Sequence, residues 1–181
     1  VSLAFLNENN DAKYNFYKDY QSQQVSIEIP KIAKDDLILL GSFYSLNPLT
    51  RPTVVRLLEE AQEQGAIVYY DPNFRANHQQ DLIHLMPNMI ENFEAASIIR
   101  GSNEDFGYIF GLTEADKIYN EKLKYYGSPF ICTTADGEVA LRTHTFSKNY
   151  PVPRIETVST IGAGDTFNAG ILFGLIHEGV Y

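Results

Sequence analysis

Two hydrophobic rhythms run along this chain, and one gives way to the other near Asp36. Before that point, Val1 to Leu6 reads as a strand. Val25, Ile27 and Ile29 alternate with Ser26 and Glu28, the period-two pattern of a half-buried sheet. Tyr14, Phe16, Tyr17 and Tyr20 lie between them. They predict a small packed β-layer in preference to a platform for bases, because their acidic neighbours disfavour nucleic acid.

From Asp36 onward, apolar runs alternate with helical stripes. Leu37 to Leu40 is continuously apolar, which predicts a strand buried on both faces. Thr50 predicts a helix cap, with Pro52 in the first turn and Gly65 at the end. Val54, Val55, Leu58 and Ala61 form the stripe of that helix. Strands are expected at Ile67 to Tyr70, Ala96 to Ile99 and Phe130 to Thr133, and helices around Gln80 to Asn92 and over Asn103 to Phe110. Thr113 and Asp116 form a variant capping box for a helix through Tyr126. Asp136-Gly137 marks a hairpin turn into Val139 to Arg142. A last helix carries Phe167, Ile171, Leu172, Leu175 and Ile176.

Such alternation predicts an α/β fold with a mostly parallel sheet covered on both faces. Ligands in these folds sit at the carboxyl ends of the strands. Asp71, Arg100 and Thr133 are expected there, converging with the Gly162 turn on one crevice.

With 181 residues, 44% apolar and 20% charged, the chain has the composition of one soluble globular domain with a full core. A formal net charge of -9 argues against nucleic acid, whose phosphates need Lys and Arg. It leaves ATP open, since amides, a metal ion and single basic residues suffice for its phosphates. No apolar run is long enough to span a membrane. No secretory signal opens the chain, and its first residue is Val, which predicts a start inside a longer gene product. Cys132 is the single cysteine, which excludes an internal disulfide and fits a reducing cytoplasm. His78, His84, His144 and His177 show no metal-ligand spacing. A P-loop, a Rossmann GxGxxG and a GxSxG elbow are all absent.

The chemistry concentrates in two strings. In Thr160-Ile161-Gly162-Ala163-Gly164-Asp165-Thr166, small residues let the backbone approach a ligand, and the helix that follows favours negative charge at its start. Asp165 stands where a phosphate would otherwise sit, which suits a base beside a phosphate in transfer; a plain capping Asp is the alternative. Asp71-Pro72-Asn73-Phe74-Arg75 follows a strand. It is a good turn sequence, and it also offers an acceptor for metal-bound water, an amide and a bidentate phosphate donor.

The string from Thr160 to Gly170 closely resembles the C-terminal signature of the ribokinase-like sugar kinases, the PfkB family. The Asp71 to Arg75 string looks like the DxNxR element of the fructokinases and ketodeoxygluconate kinases within it. The resemblance implies a three-layer ribokinase-like fold, with residues 1–30 as remnants of a small β-lid and residues 31–181 as a partial core. The N-terminal part of the family's fold, with its sugar-binding Gly-Gly segment, is missing. The implied activity is ATP-dependent transfer of the γ-phosphoryl group to a primary hydroxyl of a sugar such as fructose. Asp165 would be the catalytic base, and the amides of Gly162, Ala163 and Gly164 the anion hole.

By the same resemblance, Asp71, Asn73 and Arg75 fall on the phosphate and sugar side, and Arg100, Thr133, Thr134, Gly137 and Asn168 on the nucleotide side. Magnesium is expected at Asp105 and Glu104. Ser102 and Asp105 take the places of the family's NxxE element, with Asn103 and Glu104 as the shifted register, and a Ser-capped helix explains the same residues. Thr134 and Cys132 depart from the family's TxGxxG turn, which retains Gly137. Ser159 stands where the family commonly has an Asp near a monovalent cation, which weighs against that cation. The expected partners are a sugar and ATP, without nucleic acid or membrane, in the cytoplasm. A homodimer through the lid strands, or pairing with the missing N-terminal portion, is the expected assembly. The alternative is a truncated or degenerate kinase relative that binds nucleotide or a partner without turnover.

Overall fold

The computed structural model describes residues 2–6, 12–16, 28–134, 137–153 and 159–179. The chain divides into two compact units: Ser26–Pro153, and Val1–Val25 together with Arg154–Tyr181.

The larger unit is built on a six-stranded sheet in the sequential order β3-β4-β5-β6-β7-β8. Its strands are β3 (Leu37–Gly41), β4 (Ile67–Asp71), β5 (Ile98–Ser102), β6 (Phe130–Thr133), β7 (Glu138–Arg142) and β8 (Ser147–Pro151). β3 to β6 run parallel, and β7 and β8 are added antiparallel. The sheet is therefore mixed, as the Gly137 hairpin implied. In the described residues β3 pairs with β4 alone and forms the edge, with Leu39 49% exposed. The expectation of a strand buried on both faces at Leu37 to Leu40 is corrected by this: Leu40 is buried, while its neighbour Leu39, on the opposite face, is exposed among the described residues.

α1 (Arg51–Gln64) has Thr50 at its cap and ends on Gly65 in the left-handed conformation. Thr50 makes no side-chain cap bond; its hydroxyl donates instead to the Tyr44 and Asn47 carbonyls. α2 (Leu82–Ala95) follows a 3-10 turn over Ala76–Asp81, and α3 (Asn103–Phe110) begins directly at the end of β5. The helix expected to start at Thr113 is only α4 (Ala115–Ile118), capped by Glu114 and continued by a π turn and a 3-10 turn to Tyr126. Asp116 does not cap it, because its carboxylate takes Arg142 Nε at 2.7 Å.

These four helices share one face of the sheet. Tyr70 meets Phe93 of α2 at 5.3 Å between ring centroids, Phe93 meets Phe110 of α3 at 6.1 Å, and Phe130 meets Phe106 at 5.1 Å. Parallel strands laid down in sequential order with crossovers of one hand place every helix on the same side. Their core of Leu58, Ala61, Met89, Phe93, Ile99, Phe106, Ile118 and Phe130 is buried. Arg51, itself buried, ties the layer together by donating to the Ser45 carbonyl at 3.0 Å and to Asn92 Oδ1 at 2.7 Å.

In the smaller unit, β1 (Ser2–Leu6) pairs antiparallel with β2 (Ala12–Phe16). Tyr14 and Phe16 thus lie in a strand, while Tyr17 and Tyr20 fall outside the described residues. The strand expected over Val25 to Ile29 falls mostly outside them too, and Glu28, Ile29 and Pro30 carry no regular structure. α5 (Ala163–Glu178) is the last helix. Among the described residues no helix is long and apolar enough to cross a membrane.

Candidate active site

Side chains alternate between the two faces of a strand. An added Cβ on Gly101 would meet Phe106 of α3 at 2.5 Å, so Gly101 faces the helices and its neighbours Arg100 and Ser102 face away. Tyr70 faces α2, so Tyr69 and Asp71 also face away. On that second face, at the carboxyl ends of β4, β5 and β6, three of the expected residues come together. Arg100 Nη1 donates to Asp71 Oδ2 at 2.7 Å, and Arg100 Nη2 donates to Thr133 Oγ1 at 2.9 Å.

Both charged groups of this set are buried, with Arg100 and Asp71 side chains 7% and 4% exposed. Arg100, expected on the nucleotide side, is engaged within the sheet. The residue lies inside β5, not after it, and its guanidinium is spent on Asp71 and Thr133. Burial pushes the nearby Tyr69 hydroxyl far above its usual range, against the opposing pull of the Arg100 charge.

Asp71 uses its other carboxylate oxygen locally. Oδ1 accepts from the Asn73 amide at 3.1 Å, and Asn73 sits in the left-handed region at φ 42. Asn tolerates that region where a hydrogen-bonded turn supports it. The chain then leaves through buried Phe74 to exposed Arg75, which is extended at φ -117. Next to this turn, Gly41 comes so close to β4 that a Cβ there would lie 2.9 Å from the Asp71 carbonyl oxygen. Ser42 follows at φ 60 and ψ 174, a conformation that glycine adopts far more readily, and donates its amide to the same carbonyl at 3.3 Å. The sequence reading passed over Ser42; the Gly-Ser pair directly after an apolar run was the available signal. Phe43 stacks on His78 at 4.2 Å, joining this turn to the 3-10 turn that follows Arg75.

Ser102 and Asp105 form a complete capping box on α3. Asp105 Oδ2 accepts from the Ser102 amide at 2.7 Å and from its hydroxyl at 2.6 Å. Burial raises the Asp105 carboxyl above its ordinary value, the Ser102 bonds oppose this, the Asp71 charge adds to it and the Arg75 charge offsets it. Glu104 accepts from the Tyr108 hydroxyl at 3.0 Å. Among the described residues no group of three His, Cys, Asp or Glu is placed to hold a metal. At Glu104 and Asp105, where magnesium was expected, one oxygen of each carboxylate is hydrogen-bonded, Asp105 Oδ2 in the cap and Glu104 Oε1 to Tyr108.

Thr134 belongs to the hairpin. Its amide donates to the Glu138 carbonyl at 3.0 Å and its hydroxyl accepts from the Glu138 amide at 3.3 Å. Gly137 turns the chain at φ 80. Cys132 is buried, and burial pushes its thiol up to about 12, which suits inert packing.

The smaller unit carries the other string. Gly162 is the N-cap of α5 at φ 77, and Ala163, Gly164 and Asp165 form its first turn. Asp165 is thus the third helical residue and not the cap, and it is exposed. Amides of a first turn have no acceptor inside the helix. The Ala163 amide donates to the Thr160 carbonyl at 3.2 Å, so one of the three amides expected in the anion hole is turned to the backbone. Asn168, one turn on, is buried. The Ser159 hydroxyl accepts from the Ile161 amide at 3.2 Å.

A glycine-started helix with an exposed acid in its first turn, and a buried ion pair bracing an Asp-Pro-Asn turn, are accompanied by a family match. The family model described as pfkB family carbohydrate kinase covers residues 1–180. The chain belongs to the pfkB carbohydrate kinase family.

Among its relatives in this family is the probable chloroplastic fructokinase-6 of Arabidopsis thaliana, 25% identical over 192 residues, which cover 98% of this chain and 48% of that protein. A fructokinase of Rhizobium leguminosarum bv. trifolii is 27% identical over 179 residues, covering 96% and 54%. The structure of a Vibrio cholerae O395 fructokinase double mutant with fructose, ADP and potassium ion bound matches at a TM-score of 0.72 and 18% identity, over 80% of this chain and 47% of that one. The fold is the α/β fold of these kinases. The chain spans about half the length of the kinases it matches.

Proposed function

We propose that the protein containing this chain transfers the γ-phosphoryl group of ATP to a primary hydroxyl of fructose or a closely related sugar. The observation that carries the reading is Asp165, exposed in the first turn of a helix that opens on a left-handed glycine. Its carboxylate takes the hydroxyl proton as the oxygen attacks, and the Gly162 and Gly164 amides stabilise charge on the phosphoryl group in transfer. Asn73 and Arg75 serve the phosphate and sugar side, with Arg75 as the bidentate donor. Buried Asn168 serves the nucleotide side.

Phosphoryl transfer of this kind depends on positioning and electrostatics. Magnesium, when present, shields the nucleotide charge; the described residues build no cage for it, and the nucleotide phosphates with water would carry most of its ligands. The fructokinase relatives and the fructose- and ADP-bound neighbour favour fructose as the first sugar to try.

Coupled ADP release with fructose and ATP, measured on the whole gene product and on the 181-residue polypeptide, tests the reading. Turnover is expected from the whole gene product and not from the polypeptide, which spans about half of its relatives. The departures from the family pattern at Ser102, Thr134 and Ser159 favour a second reading, a truncated or degenerate relative that binds nucleotide or a partner without turnover. ADP-induced thermal stabilisation without ADP release in the whole gene product would select it.

A further inference from the structure

Arg100 has no part in the proposed chemistry, yet it is a buried guanidinium spread across three adjacent parallel strands. One nitrogen holds Asp71 at the end of β4 and the other holds Thr133 at the end of β6, while the residue itself lies in β5. Asp71 divides its two oxygens between two tasks: Oδ2 faces Arg100 at 2.7 Å, and Oδ1 receives the Asn73 amide at 3.1 Å. That second bond braces Asn73 at φ 42, two residues before Arg75 in the same turn. A line of hydrogen bonds therefore runs from Thr133 through Arg100 and Asp71 to the turn.

We propose that Arg100 is a positioning residue, fixing through Asp71 the turn that presents Asn73 and Arg75. The inference rests on the reading above, in which that turn serves phosphate and sugar. A charge alone would not do this work. The two bonds leave a planar fork toward two different strands, whereas an ammonium is a point charge on a flexible stem. Arg100→Lys keeps the charge and loses the span. A carboxylate no longer gripped on one side rotates, and the Asn73 amide loses its fixed acceptor. Misplacement of about 1 Å in a binding group can cost roughly a hundredfold in rate.

The test is a double-mutant cycle on the whole gene product, with fructose and ATP varied separately. Arg100→Lys is expected to lower kcat/KM by about ten- to a hundredfold with little change in melting temperature. In an Arg75→Ala background the same substitution should cost clearly less than it does in wild type, because one of the two groups it positions has gone. Losses that multiply instead would overturn the proposal. Hydrogen exchange at the Asn73 amide reads the brace independently of catalysis. Protection should fall in Arg100→Lys, and unchanged protection would also overturn it. If Arg75→Ala alone leaves kcat/KM untouched while Asn73 protection falls, the brace stands and the placement of this turn in the reaction fails. Should Arg100→Lys not fold, Thr133→Val removes one arm of the fork and is expected to move both readouts in the same direction by less; no movement in either would count against the brace.

Discussion

Gly101 lies so close to Phe106 that a Cβ added there would stand 2.5 Å from Cε2 of the ring and 3.0 Å from Cζ. The ring has nowhere to retreat. It is fully buried, stacked on Phe110 at 5.9 Å and edge-on to Phe130 at 5.1 Å. Gly101→Ala is therefore expected to destabilise the larger unit by about 1–3 kcal/mol, the usual cost of overpacking a core. Urea unfolding of the two proteins side by side checks this, and equal midpoints would show that the helix layer yields more easily than its packing implies.

Asp165→Asn should preserve the fold, since the side chain is exposed and Gly162, not Asp165, caps α5. The phosphoryl transfer rate of the whole gene product should fall by a factor of about 10² to 10⁴, the usual worth of a general base. Near wild-type turnover in this variant ends the assignment of Asp165 as base.

The Asp105 carboxyl carries a pH signature. Burial raises its pKa in the folded protein above 3.8, so the folded state holds this proton more tightly than the unfolded chain. Its contribution to stability is fully present below 3.8 and is lost as pH rises through the folded value. Asp105→Asn removes that slope while keeping an oxygen for the Ser102 amide. Wild type should thus gain stability relative to the variant as pH falls from neutrality toward 3.8, in a denaturation series at constant ionic strength. A difference that stays flat with pH, or runs the other way, would falsify the assignment.

Ser159 supplies no carboxylate, and its hydroxyl already accepts from the Ile161 amide. Weak or absent activation by potassium is expected, in contrast to what the potassium bound in the Vibrio cholerae fructokinase structure invites. Rate against potassium at fixed ionic strength decides it: a many-fold stimulation refutes the prediction, and Ser159→Asp is the variant in which stimulation should appear.

The elements most legible in the sequence were those written by local chemistry. The Gly65 stop, the apolar run ending at Asp71 and the turn at Gly137 each mark their place without help from distant residues, while Asp136 lies outside the described residues. Ser102 with Asp105 was legible in kind, since a capped helix start was one of the two readings, and the complete box accounts for both side chains. Three features were hidden for physical reasons. β8 (Ser147–Pro151) is exposed at every position, so no apolar period announced it. The capping box expected of Asp116 was hidden because its carboxylate pairs with Arg142, a partner 26 residues away, and α4 is continued by π and 3-10 turns. The bonds of Arg100 to Asp71 and Thr133 could not be read in sequence, because only the sheet register brings those residues to its two nitrogens.

The division of the chain also sets an order in time. Ser26–Pro153 is one unbroken stretch, whereas the other unit joins Val1–Val25 to Arg154–Tyr181. A ribosome releases the first stretch of the smaller unit early and its second stretch only after all of β3 to β8 has emerged. At roughly 5–20 residues per second, that last stretch takes about one to six seconds to make. The three residues of the Asp71–Arg100–Thr133 brace have been joined to the chain before this interval begins, while Asp165 is added only part-way through it. The proposed base is thus the last of these groups to be made, and a stall in translation after Pro153 would leave all three residues of the brace joined to a chain that lacks Asp165.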